Sequence, residues 1–267
     1  MKQALLISFM LALLPATSAI AEKVRLAVTS SFHNSGLSDH IIPHIETDLE
    51  IDIQLIVVGT GQALKLGENG DVDAILVHSK PDEEEFVKKG FANHRREIIF
   101  NEYVIVGPSS DPAQISSAKN LLDAFSKLSK AMVNFVSRGD FSGTHKKEME
   151  IWNKINFVPD DIGKKYISVG SAMGKAINIA VAFDAYILSD KATWLNHKNK
   201  GNLQIQFEGD RLLHNQYAFL PINPAVHAHV KDQTVEKIEG WLVSEKARNL
   251  INSYLIENTQ VFTFNAR

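Results

Sequence analysis

Short apolar runs that resemble β-strands alternate with amphipathic segments that resemble helices along most of this chain. Residues 24–28, 51–58 and 73–77 are the first three strand-like runs, and a helix-like segment follows each of them. The third run is apolar at nearly every position, which is typical of a strand in a sheet covered on both faces. Alternation of this kind predicts an α/β fold with helices packed on a largely parallel sheet.

The alternation begins again after a fourth strand-like run at residues 103–107, which Pro108 closes. Apolar runs such as 132–136 and 184–188 then alternate with further helix-like segments. Two successive modules of this type, joined near residues 107–112, predict two doubly wound lobes.

The N-terminal residues resemble a secretory signal peptide. Lys2 is the only charged residue there, residues 4–14 form an apolar core, and the segment ends in small residues that include Ala19 and Ala21. This pattern predicts a signal peptide over residues 1–21. Its apolar core is shorter than the roughly 20 residues that a bilayer-spanning helix needs. We therefore expect a periplasmic protein.

The composition excludes several classes of protein. The chain has no cysteine, which excludes a lipid-anchored lipoprotein, a disulfide framework and thiol chemistry. Its formal net charge is −3, whereas nucleic-acid binding depends on clustered basic residues. No later segment is long and apolar enough to predict insertion into a membrane. An anionic ligand would have to be held by local hydrogen-bond donors, because the overall charge does not attract it.

Three donor-rich turns follow predicted strands. They are residues 29–31, 59–61 and 137–144, and the third contains Arg138. In open α/β sheets, ligands bind outside the carboxyl ends of the strands, and a helix that begins there presents free N–H groups to an anion. Each turn taken singly has an ordinary interpretation as a strand end or a helix cap. Together, on two lobes that face each other, they predict a site for a small oxyanion.

Stretches that match the sequences of one known protein family are spread over almost the whole chain after the predicted signal peptide. The stretches are 34–37, 57–64, 70–78, 86–87, 104–108, 111–112, 135–145, 185–190, 215–217 and 223–224. With these stretches the chain resembles the periplasmic tungstate-binding proteins of ABC importers. The matches at 57–64 (VVGTGQAL) and 135–145 (FVSRGDFSGTH) are far more specific than a generic glycine-rich turn.

The resemblance implies the type II periplasmic binding protein fold, with two doubly wound Rossmann-like lobes joined by a hinge. We expect residues 22–107 plus 215–267 in lobe I and residues 108–214 in lobe II. The implied function is capture of tungstate between the lobes and delivery to the membrane permease of an ABC importer, by a monomer without a cofactor. Molybdate is the second choice of ligand, and sulfate or phosphate is the broader alternative.

The resemblance also implies a set of ligand-binding residues. Six of them would contact the anion and three would supply donors or room, namely Thr29, Ser30, Ser31, Thr60, Arg138 and Thr144, and then Gly61, Ser142 and Gly143. Arg138 has a competing interpretation as the structural partner of Asp140.

Three positions depart from the pattern of this family. The family's Thr-Thr-Thr-Ser tetrad aligns with residues 28–31, so that Val28 replaces a threonine. Ala172 stands where a glycine is usual, and Lys191 stands where arginine is expected. These departures leave open a preference for another oxyanion.

A hydrolase is the alternative from a different class of function. It would use Ser142, His145 and Asp140, which are close together in the sequence. Members of a catalytic triad usually meet only in the fold, and the chain has no Gly-x-Ser-x-Gly elbow at this site. We therefore expect a binding protein and not an enzyme.

A metal site is a further alternative, based on the histidines. His40 and His44 are spaced for one face of a helix, and His227 and His229 are separated by one residue. The spacing provides no third and fourth ligand for zinc. We therefore expect no metal site.

Overall fold

The computed structural model describes residues 21–266, so that the predicted signal peptide lies outside the described residues except for Ala21. This part of the chain folds into strands and helices in regular alternation, which confirms the predicted α/β class. The longest α-helix in this range has 13 residues, and none has both the length and the apolar character required to span a bilayer.

Twelve strands form within residues 21–266. They are β1 (Glu22–Thr29), β2 (Ile51–Val58), β3 (Ala74–Val77), β4 (Arg96–Pro108), β5 (Phe135–Ser137), β6 (Tyr166–Ser168), β7 (Tyr186–Asp190), β8 (Leu203–Phe207), β9 (His214–Pro221), β10 (Leu255–Ile256), β11 (Thr259–Gln260) and β12 (Thr263–Phe264). Ten of them form one sheet, in which the order β2-β1-β3-β9-β4-β7-β5-β6 is extended by β8 and β12, both paired with β4.

Ten α-helices form in the same range. They are α1 (Ser30–Asn34), α2 (Leu37–Leu49), α3 (Thr60–Asn69), α4 (Lys80–Lys88), α5 (Leu121–Ala131), α6 (Gly143–Lys154), α7 (Met173–Ala182), α8 (Lys191–Asn196), α9 (Asp232–Leu242) and α10 (Glu245–Ser253). Short 3₁₀ helices occur at Ile115–Ser117, Pro159–Lys165 and Arg211–Leu213.

Strand β4 connects the two halves of the large sheet. Its first part pairs antiparallel with β9 from Arg96 to Glu102, and its second part pairs antiparallel with β7 from Tyr103 onward. On either side the pairs β1–β2, β1–β3, β5–β6 and β5–β7 are parallel. The predicted lobe boundaries at 107/108 and 214/215 remain predictions, and β4 changes its strand partner between Glu102 and Tyr103.

Each half of the sheet is covered on both faces. In β1, Leu26 belongs to one hydrophobic cluster and Ala27 to a second cluster on the opposite face. In β4, Ile105 and Val106 divide in the same way between two other clusters. Successive side chains of a strand point to opposite faces, so each half has a core above and below its sheet. This arrangement is the doubly wound architecture predicted from the sequence.

Two of the predicted turns are the beginnings of helices. Helix α1 starts at Ser30 and α3 starts at Thr60, directly after their strands. Thr29 makes the first start possible because its hydroxyl accepts a hydrogen bond from the Phe32 N–H, as a helix N-cap does. Gly59 is the corresponding N-cap of α3. The backbone therefore enters the helix sooner at both places than the sequence pattern predicted.

Candidate functional site

Polar residues gather at the carboxyl ends of five strands. Thr29 ends β1, Asp190 ends β7, His78 and Arg138 directly follow β3 and β5, and Thr60 lies two residues beyond β2. All five are buried, and Thr60 and Arg138 expose only 0% and 4% of their surface. Because burying a polar group costs free energy unless it is hydrogen-bonded, such a concentration marks a polar site within the fold.

The end of β1 is a hydrogen-bonded cluster of hydroxyl groups. The Thr29 Oγ1 lies 3.0 Å from the Ser31 Oγ, which is itself 3.0 Å from the His78 Nε2 and 3.3 Å from the Tyr217 hydroxyl. Ser30 is the first residue of α1 and is half-buried. The first of the three predicted donor-rich segments therefore delivers two of its hydroxyl groups to the buried site.

Thr60 places an unsatisfied hydroxyl at the start of α3. The parallel register pairs Thr29 of β1 with Val58 of β2, which brings Thr60 to the same edge of the sheet. Its Oγ1 is fully buried and has no hydrogen-bond partner within residues 21–266. Gly61 follows in the first turn of the helix and is exposed. Helix α3 has ten residues, and its first turn carries backbone N–H groups that the helix itself does not use.

The start of α6 provides a second set of donors. Ser142 is the N-cap, and its Oγ accepts a hydrogen bond from the His145 N–H at 3.3 Å. Thr144 is buried, and its hydroxyl lies beside Tyr103 without a hydrogen bond of normal geometry. Gly143 fits closely against the end of β3, because a Cβ atom there would lie 2.6 Å from the His78 Cε1.

Arg138 carries the positive charge of the site. One of its terminal nitrogens donates to the Asp140 carboxylate, and its Nε donates to the Ser171 carbonyl oxygen at 3.3 Å. The pair with Asp140 that the sequence left as an alternative is therefore present. A guanidinium has five N–H donors, so these two contacts leave others available for an anion.

His78, Tyr103 and Tyr217 connect these groups, and sequence reasoning missed all three. The His78 Nδ1 lies 3.1 Å from the Tyr103 hydroxyl, and the His78 ring centroid lies 4.7 Å from that of Tyr217. Burial and, second, the charge of Arg138 lower the pKa of His78 to about 3, so that the imidazole is neutral at physiological pH. Burial also raises the pKa of Tyr103 well above its usual value.

Asp190 brings a carboxylate close to the same cluster. Its Oδ1 accepts a hydrogen bond from the Thr193 N–H at 2.8 Å, which caps α8. Burial raises the pKa of Asp190 to about 6, although Thr193 and the charge of Arg138 both act to lower it. The sequence signal for His78 and Asp190 was a polar residue at the end of an apolar strand, but neither received a role.

An open cleft of about 410 Å³ lies beside the buried cluster. His78, Tyr103 and Gly143 form part of its wall. Across the cleft, Lys146 of α6 forms an ion pair with Asp82 of α4. The cleft therefore lies between the parts of the chain predicted to form the two lobes.

The residues of the alternative hydrolase are arranged as a helix cap. The Ser142 hydroxyl contacts the backbone N–H of His145, whereas the His145 Nδ1 accepts a hydrogen bond from the Phe141 N–H at 3.1 Å. Asp140 accepts from the Ser142 N–H and pairs with Arg138. These contacts direct the imidazole away from the role of a base for the serine hydroxyl.

The histidine pairs have structural contacts. The His227 Nε2 lies 2.9 Å from the Glu68 carbonyl oxygen, and the His229 Nε2 lies 2.8 Å from that of Gly70. His40 packs against Tyr254 with their ring centroids 5.1 Å apart. Over residues 21–266, no group of three or more His, Asp or Glu side chains is arranged to hold a metal ion.

The three departures from the family pattern lie in different surroundings. Val28 is fully buried in the hydrophobic cluster of β1. Ala172 occupies the N-cap position of α7. Lys191 begins α8 and forms an ion pair with Glu208 at 2.7 Å. The valine is thus accommodated as a core residue.

A family model and a curated relative each match most of this chain. Residues 15–246 match the model of a family described as a PBP superfamily domain. The tungstate-binding protein TupA of Peptoclostridium acidaminophilum is 38% identical over 245 residues, which cover 90% of this chain and 85% of that protein.

Two solved structures have the same fold and substantial identity. The tungstate-binding protein TupA from Desulfovibrio alaskensis G20 has a TM-score of 0.81 and 35% identity, and the match covers 92% of this chain and 100% of that one. The tungstate ABC transporter structure from Geobacter sulfurreducens has a TM-score of 0.81 and 38% identity, covering 87% and 99% of the two chains.

Proposed function

Because the chain belongs to the TupA family of tungstate-binding proteins within the PBP superfamily, we propose that it captures tungstate and delivers it to the permease of an ABC importer. The observation that carries this proposal is the buried Thr60 hydroxyl without a partner, in a polar site that also holds Arg138. A buried hydroxyl that is left unpaired costs free energy, and an anion oxygen is the partner that would satisfy it.

The donor chemistry of the site matches a tetrahedral oxyanion. Such an ion has only acceptor oxygens, and the site offers hydroxyl groups, backbone N–H groups at the starts of α3 and α6, and guanidinium N–H groups. Hydrogen bonds to charged groups contribute roughly 1.5–3 kcal/mol each. Six such bonds would offset the cost of association and still leave a Kd near or below about 1 μM, which is about −8 kcal/mol.

The proposed ligand set is the one that the family resemblance implied. Contacts come from Thr29, Ser30, Ser31, Thr60, Arg138 and Thr144, with Gly61, Ser142 and Gly143 supplying backbone donors or room. Support for the set comes from the placement of its buried members at the ends of neighbouring strands and the starts of two helices.

We assign residues 22–107 and 215–267 to lobe I and residues 108–214 to lobe II. An anion held by Thr60 on one side and by Arg138 and Thr144 on the other bonds to both lobes at once. Because these contacts exist together only in the closed form, the anion favours closure by its differential affinity. The hinge then lies where the chain crosses between lobes, in β4 and at the start of β9.

The remaining parts of the proposal follow the family. The signal peptide over residues 1–21 exports the chain to the periplasm, where it works as a monomer without cofactor or resident metal. It catalyses no reaction, in keeping with the capping role of Ser142 and His145. Tungstate is the first ligand and molybdate the second. A hydroxyl-lined site distinguishes these two ions through small differences in size and basicity.

Calorimetric titration of the mature chain with tungstate, molybdate, sulfate and phosphate tests the proposal. We expect heat and a Kd near or below about 1 μM for tungstate. The variant Thr60→Val removes the hydroxyl at nearly constant volume and should weaken binding at least tenfold. Thr47→Val, at an exposed threonine on α2, is the matched control. Absence of heat with all four anions would overturn the proposed function.

A further inference from the structure

His78 lies within the buried polar cluster, and its two ring nitrogens contact two different hydroxyl groups of that cluster. Its Nε2 is 3.0 Å from the Ser31 Oγ, and its Nδ1 is 3.1 Å from the Tyr103 hydroxyl. Its ring also lies beneath Gly143, the first residue of α6. The side chain thus touches the proposed anion-binding serine on one side and the helix that supplies Thr144 on the other.

The polarity of the hydrogen bonds decides whether Ser31 can donate to an anion. A hydroxyl group has one proton and two acceptor lone pairs. If the His78 Nε2 carries the imidazole proton and donates it to the Ser31 Oγ, then the serine proton is free to point at the anion. If Nε2 is unprotonated, Ser31 donates to the imidazole and turns its lone pairs toward the negative ligand.

The surroundings of the imidazole favour the first of these two arrangements. Burial raises the pKa of Tyr103, so that its hydroxyl keeps a proton that it can donate to the His78 Nδ1, 3.1 Å away. The pKa of His78 is lowered to about 3, so that the ring holds a single proton. A ring that accepts at Nδ1 and holds one proton must carry it at Nε2.

We propose that His78 is a positioning residue for oxyanion binding, whose Nε2–H donates to Ser31 and thereby makes the serine hydroxyl a donor to the anion. The inference rests on the proposed function, because it takes Ser31 as a ligand of the oxyanion. The hydrogen bonds then run in one direction, from the Tyr103 hydroxyl to His78, from His78 to Ser31, and from Ser31 to the ligand. His78 itself does not touch the ligand.

Two substitutions distinguish the contribution of the His78 Nε2 from that of the His78 Nδ1. His78→Gln places an amide nitrogen near the position of Nε2 and retains a donor to Ser31. His78→Asn places its amide near Nδ1 and leaves Ser31 without that donor. We expect H78N to weaken tungstate binding at least tenfold, and H78Q to recover at least fivefold of that loss. His44→Asn, at an exposed histidine on α2, is the matched control.

A double substitution tests whether His78 acts through Ser31. Ser31→Ala alone should weaken binding at least tenfold. The double variant S31A/H78N should bind within about threefold of S31A, because the role of His78 is lost once the serine hydroxyl is absent. Independent contributions would instead multiply the two losses, which would overturn the inference.

Nitrogen-15 NMR of the histidine rings in the tungstate complex reports the tautomer of His78 in the unmodified chain. His78, assigned by comparison with H78Q, should show a protonated Nε2 and an unprotonated Nδ1 between pH 5 and pH 8. Protonation at Nδ1, or an imidazolium ring in that range, would overturn the inference. If the unmodified chain binds tungstate and H78N binds it with the same affinity, the inference is overturned while the proposed function stands. If the unmodified chain does not bind tungstate, the proposed function itself is overturned.

Discussion

Lys146 of α6 and Asp82 of α4 form an ion pair across the open cleft beside the buried polar site. Asp82 also accepts a hydrogen bond from the Ser79 hydroxyl, which fixes the carboxylate at the start of α4. The pair joins the two proposed lobes through two side chains that are not members of the proposed ligand set. We therefore expect the pair to stabilise the proposed closed form independently of the anion.

Lys146→Gln should weaken tungstate binding by up to about fivefold, because a half-exposed ion pair contributes at most about 1 kcal/mol. The same substitution should reduce the dependence of the Kd on salt concentration, measured by calorimetry at low and at 0.5 M salt. Lys154→Gln, on the same helix but paired with Glu150, is the control. Equal effects of the two variants would assign the change to overall charge.

Gly143→Ala should weaken binding more than tenfold without destabilising the unliganded protein. The added Cβ atom would lie 2.6 Å from the His78 Cε1 and 3.0 Å from the His78 carbonyl oxygen, which opposes closure. Within a helix, alanine is favoured over glycine by roughly 0.5–1 kcal/mol. Calorimetry and thermal denaturation separate the two effects.

Gly174→Ala on α7 is the matched control for that substitution, because no atom lies within 4 Å of its added Cβ. We expect it to leave tungstate affinity unchanged. A Gly143→Ala variant that binds as tightly as the unmodified chain would show that the start of α6 does not need to approach His78 for binding.

Arg138→Ala should weaken tungstate binding by more than tenfold, since it removes the positive charge and the planar donors of the buried site. Arg138→Lys should recover only part of the loss, because a lysine keeps the charge but not the fork geometry. Titration calorimetry on both variants gives the comparison. Unchanged affinity in Arg138→Ala would assign the residue to its pair with Asp140 alone.

Asp190→Asn should raise the stability of the protein at pH 7.5 more than at pH 5. The pKa of Asp190 is raised from 3.8 to about 6 by burial, so the folded state holds this proton more strongly than the unfolded state does. The wild-type protein therefore loses stability as the pH rises from 3.8 to about 6, and this loss is complete above that pH. Only the interval from pH 5 to about 6 contributes to the difference, so that at about 1.36 kcal/mol per pH unit we expect a difference of at most about 1.4 kcal/mol.

Asparagine can still cap α8 by accepting from the Thr193 N–H, so the helix start is preserved in this variant. Urea denaturation at the two pH values measures the change in the free energy of unfolding. An equal change at both values would indicate that the Asp190 charge does not oppose folding.

The sequence predicted the parts of the site that depend on local pattern. The donor-rich segments around Thr29, Thr60 and Arg138 lie at the ends of strands, as expected for ligand sites in α/β sheets. At Thr29 and Thr60 the predicted turn is the start of a helix, which changes the local backbone but not the hydroxyl donors. The pair between Arg138 and Asp140, left open by the sequence, is present beside them.

The residues that the sequence did not predict depend on contacts between distant segments. His78 meets Ser31 across 47 positions, and Ser31 meets Tyr217 across 186. No periodic pattern within a segment carries that information. The first half of β4 was missed for a different reason, because Arg96 and Glu97 interrupt the apolar pattern while β9 pairs with their backbone.

The crossing of β4 between the two halves of the sheet has a mechanical consequence. The last residue paired with β9 is Glu102, and the next residue, Tyr103, is paired with Asp190 of β7 and carries the hydroxyl that touches His78. The change of strand partner in β4 therefore lies directly beside the buried polar cluster. Under the proposed function, we expect bending between Glu102 and Tyr103 to shift the phenol relative to the imidazole, so that opening of the protein would also disturb the contact between Tyr103 and His78.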